Sequence, residues 1–257
     1  MSVQPVFLSI VIPAFNEERR LPRALRETIE HLKKRQYTSE ILVVTDGSRD
    51  RTVDVAREFA REFNVRVLEF TNNRGKGFAV KEGMLAAGGK FRLFMDADYA
   101  VPIEFVDDFL VASRSGADVV IASRCHPNTH LDQVQAFPRR QLANAFGYLQ
   151  QFVLRMPYRD TQCGFKLFTA EAAERLFPLQ TLDCAYFDAE LLYIAYKLGV
   201  KVVEAPVRWN HDPETRLPIG LKRTVDLLKK LWGIKRDHAN VRSTAASISK
   251  GQVTVGT

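Results

Sequence analysis

The stretch Leu8-Ser-Ile-Val-Ile-Pro-Ala-Phe-Asn-Glu17 changes character in its middle. Leu8 to Ile12 is short, mostly apolar and β-branched, which suits a strand buried on both faces. Pro13 stops the run, a polar segment follows, and Leu21, Ala24, Leu25, Ile29 and Leu32 then recur at helical spacing. The reading is strand, polar loop, helix. The same unit returns with Ile41 to Thr45, the loop Asp46-Gly-Ser-Arg-Asp50, and a helical face of Val53, Ala56, Phe59, Ala60 and Phe63. A third strand is expected at Val65 to Phe70, a helix at Phe78 to Ala87, a fourth strand at Phe91 to Met95, a helix at Ile103 to Ala112 and a fifth strand at Val119 to Ser123. This alternation predicts an α/β fold with a mainly parallel central sheet covered by helices on both faces. Beyond Arg124 the rhythm breaks into a polar loop (125–138), an amphipathic helix near 139–154, an apolar stretch at Gly164 to Thr169, further helices and a strand at Val202 to Ala205.

Composition bounds the partners. The chain has 257 residues, of which 46% are hydrophobic and 26% charged, an ordinary globular balance that excludes global disorder and a fibrous repeat. Its formal charge is +7, and +6 of that lies in residues 201–257, so an anionic partner is favoured over a cationic one. Cys125, Cys163 and Cys184 are odd in number and far apart, which reads as reduced thiols in a cytoplasmic protein rather than a disulfide or zinc framework. The start Met-Ser-Val-Gln-Pro-Val lacks the pattern of a secretory signal, and no apolar run reaches the roughly 20 residues that cross a bilayer. Any membrane contact is expected to be peripheral, on the cytoplasmic face.

In a parallel α/β sheet, ligands bind outside the carboxyl ends of the strands. The polar clusters fall there. Asp96-Ala-Asp98 places two carboxylates where the fourth strand ends; they suit Mg²⁺ or Mn²⁺ completed by diphosphate oxygens, or alternatively cap the next helix. Asp46 is either part of a turn or an acceptor for the imide N–H of uracil. Pro13 to Glu17 suits a helix start or a base and ribose. Arg74-Gly-Lys76-Gly77 is a cationic turn able to meet phosphate, while Walker and dinucleotide-binding glycine patterns are absent from the sequence.

Taken in order, Ser9-Ile-Val-Ile-Pro-Ala-Phe-Asn-Glu17, Asp46-Gly-Ser, Gly75-Lys-Gly77 and Asp96-Ala-Asp98 resemble glycosyltransferase family 2, which uses the GT-A nucleotide-diphospho-sugar transferase fold. Arg159-Asp-Thr-Gln-Cys-Gly-Phe-Lys-Leu-Phe168 and Phe187-Asp-Ala-Glu-Leu-Leu192 are similar to the branch containing dolichyl-phosphate β-glucosyltransferase. The resemblance spans about residues 7–235. It implies one domain over 1–237, with a nucleotide-sugar half at about 7–124, an acceptor half at about 125–237 and a loose tail at 238–257. It assigns Pro13, Ala14, Asn16, Glu17, Asp46 and Gly47 to the nucleoside, Lys76 to the diphosphate, Asp98 to the metal, and Asp96 with Ala97 to ribose, sugar or metal. Arg124 with Arg139 or Arg140 would hold the acceptor phosphate, and Asp160 would face the reacting centre as a base or a positioning group.

The implied reaction is metal-dependent, inverting transfer of a hexose, glucose from UDP-glucose, to a polyprenyl or dolichyl phosphate. GDP-mannose as donor or a soluble hydroxyl as acceptor are the alternatives within the family. A non-catalytic membrane or nucleic-acid-binding protein is the alternative of another class; the nearly neutral first 200 residues and the lack of a nucleic-acid motif argue against nucleic acid. On this sequence neither the N-terminal anchor of the eukaryotic members of the branch nor the C-terminal spans of several bacterial relatives is expected, and the Q-x-x-R-W motif of processive synthases is absent from it. Residues 216–242 hold a net +6. On a helical wheel Leu221, Val225, Leu228 and Trp232 share one face, with Leu231 at its margin and Lys222, Arg223, Lys229 and Lys230 across from them, which suits either packing on the domain or contact with anionic lipid. Trp209 and His211 read as a packed tryptophan and a solvated histidine. Of Asp188 and Glu190, two apart on a helix, at most one can face the site.

Overall fold

Strands buried on both faces need no alternation of polar and apolar residues, and β1 (Leu8–Ala14) and β2 (Ser39–Asp46) have almost none. The computed structural model describes residues 5–132, 149–210 and 221–241. Between and after these strands come α1 (Leu21–Lys33), α2 (Thr52–Phe59), β3 (Val65–Phe70), α3 (Lys76–Ala86), β4 (Phe91–Met95), α4 (Phe105–Arg114), β5 (Val119–Ala122) and β6 (His130–Leu131). Residues 149–154 are helical, and the chain continues with β7 (Phe165–Thr169), α5 (Ala170–Leu176), α6 (Phe187–Lys197), β8 (Val202–Ala205), β9 (Arg208–Trp209) and α7 (Leu221–Asp237).

Seven strands form one sheet in the order β3-β2-β1-β4-β7-β5-β8, and β6 pairs with β9 beside it. Core residues on one face, such as Ile10 and Ile12, meet the apolar stripe of α1 (Leu21, Ala24, Leu25, Ile29, Leu32) and helices α2 and α4. On the other face Val11 and Val44 meet α3, α5 and α6. Gly83 lets α3 approach closely, since a Cβ there would lie 2.4 Å from Val11 Cγ1. Strand order reverses beside β1, where β2 lies on one side and β4 on the other, and this switch point is where a doubly wound sheet opens a crevice.

The expected parallel pattern holds with one exception. β7 runs antiparallel between β4 and β5, pairing Met95 with Phe165 and Phe91 with Thr169. The apolar stretch at Gly164 to Thr169 is therefore a central strand, and its antiparallel direction carries residues 160–164 to the carboxyl end of β4. The helix expected from Phe78 begins at Lys76. On α7 the expected wheel is turned: Leu231 and Ile234 are buried, Trp232 is 64% exposed, and Lys230 faces inward, donating to Cys184 Sγ at 3.1 Å. His238, just past α7, is buried against Glu190, so packing continues beyond residue 237. Among the described residues no helix is long and apolar enough to cross a membrane.

Candidate active site

The loops after β1 and β2 are stitched by side chain to backbone hydrogen bonds. Asn16, at a φ of +54°, accepts from the Arg49 N–H at 2.8 Å and donates its own N–H to Ser48 Oγ at 3.2 Å. The Glu17 N–H donates to Thr52 Oγ1 at 2.8 Å, and the Glu17 carboxylate grips Arg20 at 2.5 and 2.6 Å. Asp46, at the end of β2, accepts from the backbone N–H groups of Arg74, at 3.0 Å, and Gly75, at 2.7 Å. Its carboxylate thus holds the turn that delivers Lys76, a task the sequence did not reveal. Gly47 needs to be glycine: its φ is +72° and a Cβ would lie 2.5 Å from Asn73 N.

These loops enclose a cleft of about 370 Å³ at the switch point, lined by Pro13, Ala14, Glu17, Asp46, Lys76, Asp96, Ala97 and Asp98 among others. Asn16 lines an adjoining cavity of about 380 Å³ with Glu17, Arg20 and Arg49. Eight of the ten donor-side residues singled out from sequence line the one cleft; Asn16 lines the adjoining cavity, and Gly47 lines neither. Lys76 Nζ is 2.6 Å from Asp96 Oδ1. Burial alone would make that ammonium more acidic, but Asp96 and then Asp188 outweigh it and hold its pKa well above the ordinary lysine range. Asp98 goes the other way for a carboxylate. Burial first, and the neighbouring Asp96 charge second, push its pKa up to about 6, although the Ala100 N–H donates to its Oδ1 at 3.0 Å.

The carboxylate pair fits a divalent cation. Asp96 Oδ1 is buried against the Lys76 ammonium at 2.6 Å, and Asp98 is penalised by its neighbour's charge. Among the described residues no cluster of three His, Cys, Asp or Glu could hold a metal alone, so two hard oxygens here would need further oxygen donors such as those of a diphosphate. Gly164, given no role from the sequence, lies against Asp96 of this carboxylate pair. Its carbonyl accepts from the Asp96 N–H at 3.0 Å, and a Cβ on it would lie 2.1 Å from Asp96 Oδ2.

At the same end of the sheet, Arg124, just beyond β5, is locked to Asp160. Arg124 Nε donates to Oδ2 at 2.7 Å, Nη2 to Oδ1 at 2.8 Å, and the backbone N–H to Oδ2 at 2.8 Å. Burial would raise the Asp160 pKa, yet the Arg124 charge and hydrogen bonds bring it down to about 2. Trp209 packs against the core, as expected, and its ring also lies 5.6 Å from the Arg124 guanidinium. Cys163 is a buried thiol whose pKa burial pushes up to about 12, which leaves it inert. Asp188 lies toward the site, close to Lys76, whereas Glu190 faces away and accepts from Thr181, Leu182 and His238. Arg139, Arg140 and His211 lie outside the described residues.

The model of glycosyl transferase family 2 matches residues 9–177, a span that contains the cleft, Arg124 and Asp160. The chain belongs to glycosyltransferase family 2. Within it, this transferase falls in the dolichyl-phosphate β-glucosyltransferase-like branch. It is 39% identical over 224 residues to the dolichyl-phosphate beta-glucosyltransferase of Drosophila melanogaster, covering 82% of this chain and 69% of that protein. The human protein of the same name is 36% identical with the same coverage. Among solved structures, the glucosyl-3-phosphoglycerate synthase of Mycobacterium tuberculosis, in complex with Mn²⁺, UDP and glucosyl-3-phosphoglycerate, superposes with a TM-score of 0.64. At 17% identity, over 93% of this chain and 82% of that one, it shares the fold. The switch-point cleft of this transferase lies within the span that the family model matches.

Proposed function

We propose that this transferase moves a glucosyl group from UDP-glucose to the phosphate of a polyprenyl or dolichyl lipid, with inversion at the anomeric carbon. The names and identities of its relatives support the reaction class. The observation in the molecule that carries the reading is the Arg124–Asp160 lock, a partly exposed guanidinium fixed by a buried aspartate at the same sheet end as the carboxylate pair. A lipid phosphate oxygen attacks the anomeric carbon, the bond to the β-phosphate oxygen of UDP breaks, and UDP leaves with the electron pair. Pro13, Ala14, Asn16, Glu17 and Asp46, with Gly47 shaping the loop, hold the nucleoside. Lys76 reaches the diphosphate, and Asp98 with Asp96 would hold Mg²⁺ or Mn²⁺. Such a cation, when bound, neutralises charge developing on the departing diphosphate.

Asp160 works here by holding Arg124. Both of its oxygens are engaged, and a pKa of about 2 makes it a poor base. A phosphomonoester needs none, because its second pKa of about 6 leaves it mostly ionised at neutral pH. A hydroxyl acceptor would need one. The 216–242 segment adds a peripheral contact with anionic membrane, supported by the exposed Trp232 and Lys229 of α7. The test is transfer to polyprenyl phosphate in vesicles from UDP-glucose, UDP-GlcNAc or GDP-mannose. UDP-glucose should give the highest kcat/KM, and anionic vesicles should outperform zwitterionic ones at low salt. Preference for GDP-mannose would overturn the donor, and equal rates on both vesicles would overturn the membrane contact.

A further inference from the structure

Lys166 stands in a place that a central strand reserves for apolar side chains. On β7 it is flanked by Phe94 of β4 and Ile121 of β5, and it is 1% exposed. Its ammonium lies 2.5 Å from Asp188 Oδ1, in the first turn of α6, and donates to the carbonyl oxygen of Cys163. Asp188 is 2% exposed. The other buried arginine or lysine among the described residues, Arg92, pairs with an exposed glutamate, and the buried Glu190 pairs with His238, which carries charge only when protonated, so Lys166 with Asp188 is the one described lysine or arginine pair with both charges inside. Removing two charges from water offsets most of their mutual attraction, and an apolar pair of similar volume would serve stability as well. Stability does not explain the pair, but its contact with Cys163 does.

Cys163 lies in the segment that joins the two sides of the site. Next to it, Gly164 supports the Asp96 carboxylate and accepts from the Asp96 N–H. Three residues earlier, Asp160 holds Arg124 in its bidentate grip. The Lys166 ammonium therefore fixes the carbonyl between the donor carboxylate and the acceptor arginine. Asp188 in turn fixes the ammonium from a helix whose first residue, Phe187, packs under Gly77 beside Lys76; a Cβ on Gly77 would lie 2.9 Å from Phe187 Cβ. Both sides of the cleft are referenced to one buried charge pair.

We propose that Lys166 and Asp188 are positioning residues that set the spacing between Asp96 and Arg124, and that the pair is ionic for the sake of that placement. The inference rests on the reading of Asp96 as donor-side and Arg124 as acceptor-side. Breaking the pair together, in Lys166→Met/Asp188→Leu, should keep the melting temperature within a few degrees of wild type, as apolar replacement of buried pairs does. It should also leave UDP binding in the presence of Mn²⁺ unchanged within about twofold, while kcat for transfer to polyprenyl phosphate falls about 10- to 100-fold, the cost of a misplacement of order 1 Å. The share of UDP-glucose lost to water should rise. Asp188→Glu, which keeps the charge and lengthens the arm, should show the same fall in kcat at unchanged UDP affinity and tests the idea should the double variant not fold. Wild-type kcat in a folded variant of either kind overturns the proposal. Failure of the functional reading would show separately, as absence of transfer by the wild-type protein.

Discussion

Asp98 and Asp160 stand at the same end of one sheet, and their acidities move in opposite directions. Asp98 is half-buried beside Asp96, and burial plus that like charge raise its pKa to about 6. Asp160 is more deeply buried, which by itself would raise its pKa further, yet the Arg124 guanidinium lowers it to about 2. The difference lies in where positive charge comes from. The acceptor side has its cation built into the chain and locked by three hydrogen bonds. Asp96 and Asp98 share one half-buried lysine, Lys76, and are short of positive charge, a setting that a divalent cation would complete in the proposed reaction.

The largest effect is expected at Asp98. Asp98→Ala should lower transfer by at least about 1,000-fold, consistent with losing the main electrostatic support of the leaving group. Thermal stability should stay the same or rise, because a repelled carboxylate is removed from beside Asp96. Product formation and thermal melting check the two halves of the statement, and a variant retaining a tenth of wild-type turnover would mean the cation is held elsewhere. A smaller effect sharpens the other side. Asp160 has a native pKa below its ordinary value of 3.8, so its ion pair stabilises the fold fully above that pH and less as pH falls toward 2. In urea unfolding, the advantage of wild type over Asp160→Asn should shrink by about 1 kcal/mol between pH 6 and pH 3. A constant advantage would mean that Asp160 is not held as an anion by Arg124.

The donor side was largely legible in the sequence because it is local: each loop directly follows an apolar strand, and in a parallel sheet all such loops reach the same end. Asp46, Lys76, Asp96 and Asp98 needed only that rule to meet. The acceptor side depends on pairings between distant segments. Whether β7 would run antiparallel between β4 and β5 is written in no local period, and its Phe-Lys-Leu-Phe-Thr sequence interrupts the apolar run with a lysine. Lys166 can be buried only because Asp188, 22 residues away, meets it, and a charge at a strand centre otherwise argues against a strand. The same limit explains α7. Its wheel contains two possible apolar faces, and the one used includes Leu231 and Ile234 because the domain surface there offers Glu190 to His238 and Cys184 to Lys230. Gly164 was visible as a letter, but its role required the Asp96 carboxylate lying against it.

The proposed reaction needs a donor side completed by a divalent cation and an acceptor side prepared for an already ionised phosphate. Both are addressed by product formation from UDP-glucose with a short-chain polyprenyl phosphate or the matching polyprenol, each with Mg²⁺, with Mn²⁺ or with a chelator. Glucosylated lipid should form with the phosphate and a divalent cation and should be lost when either is withheld. Transfer to the free alcohol at a comparable rate, or undiminished transfer in the chelator, would contradict the account.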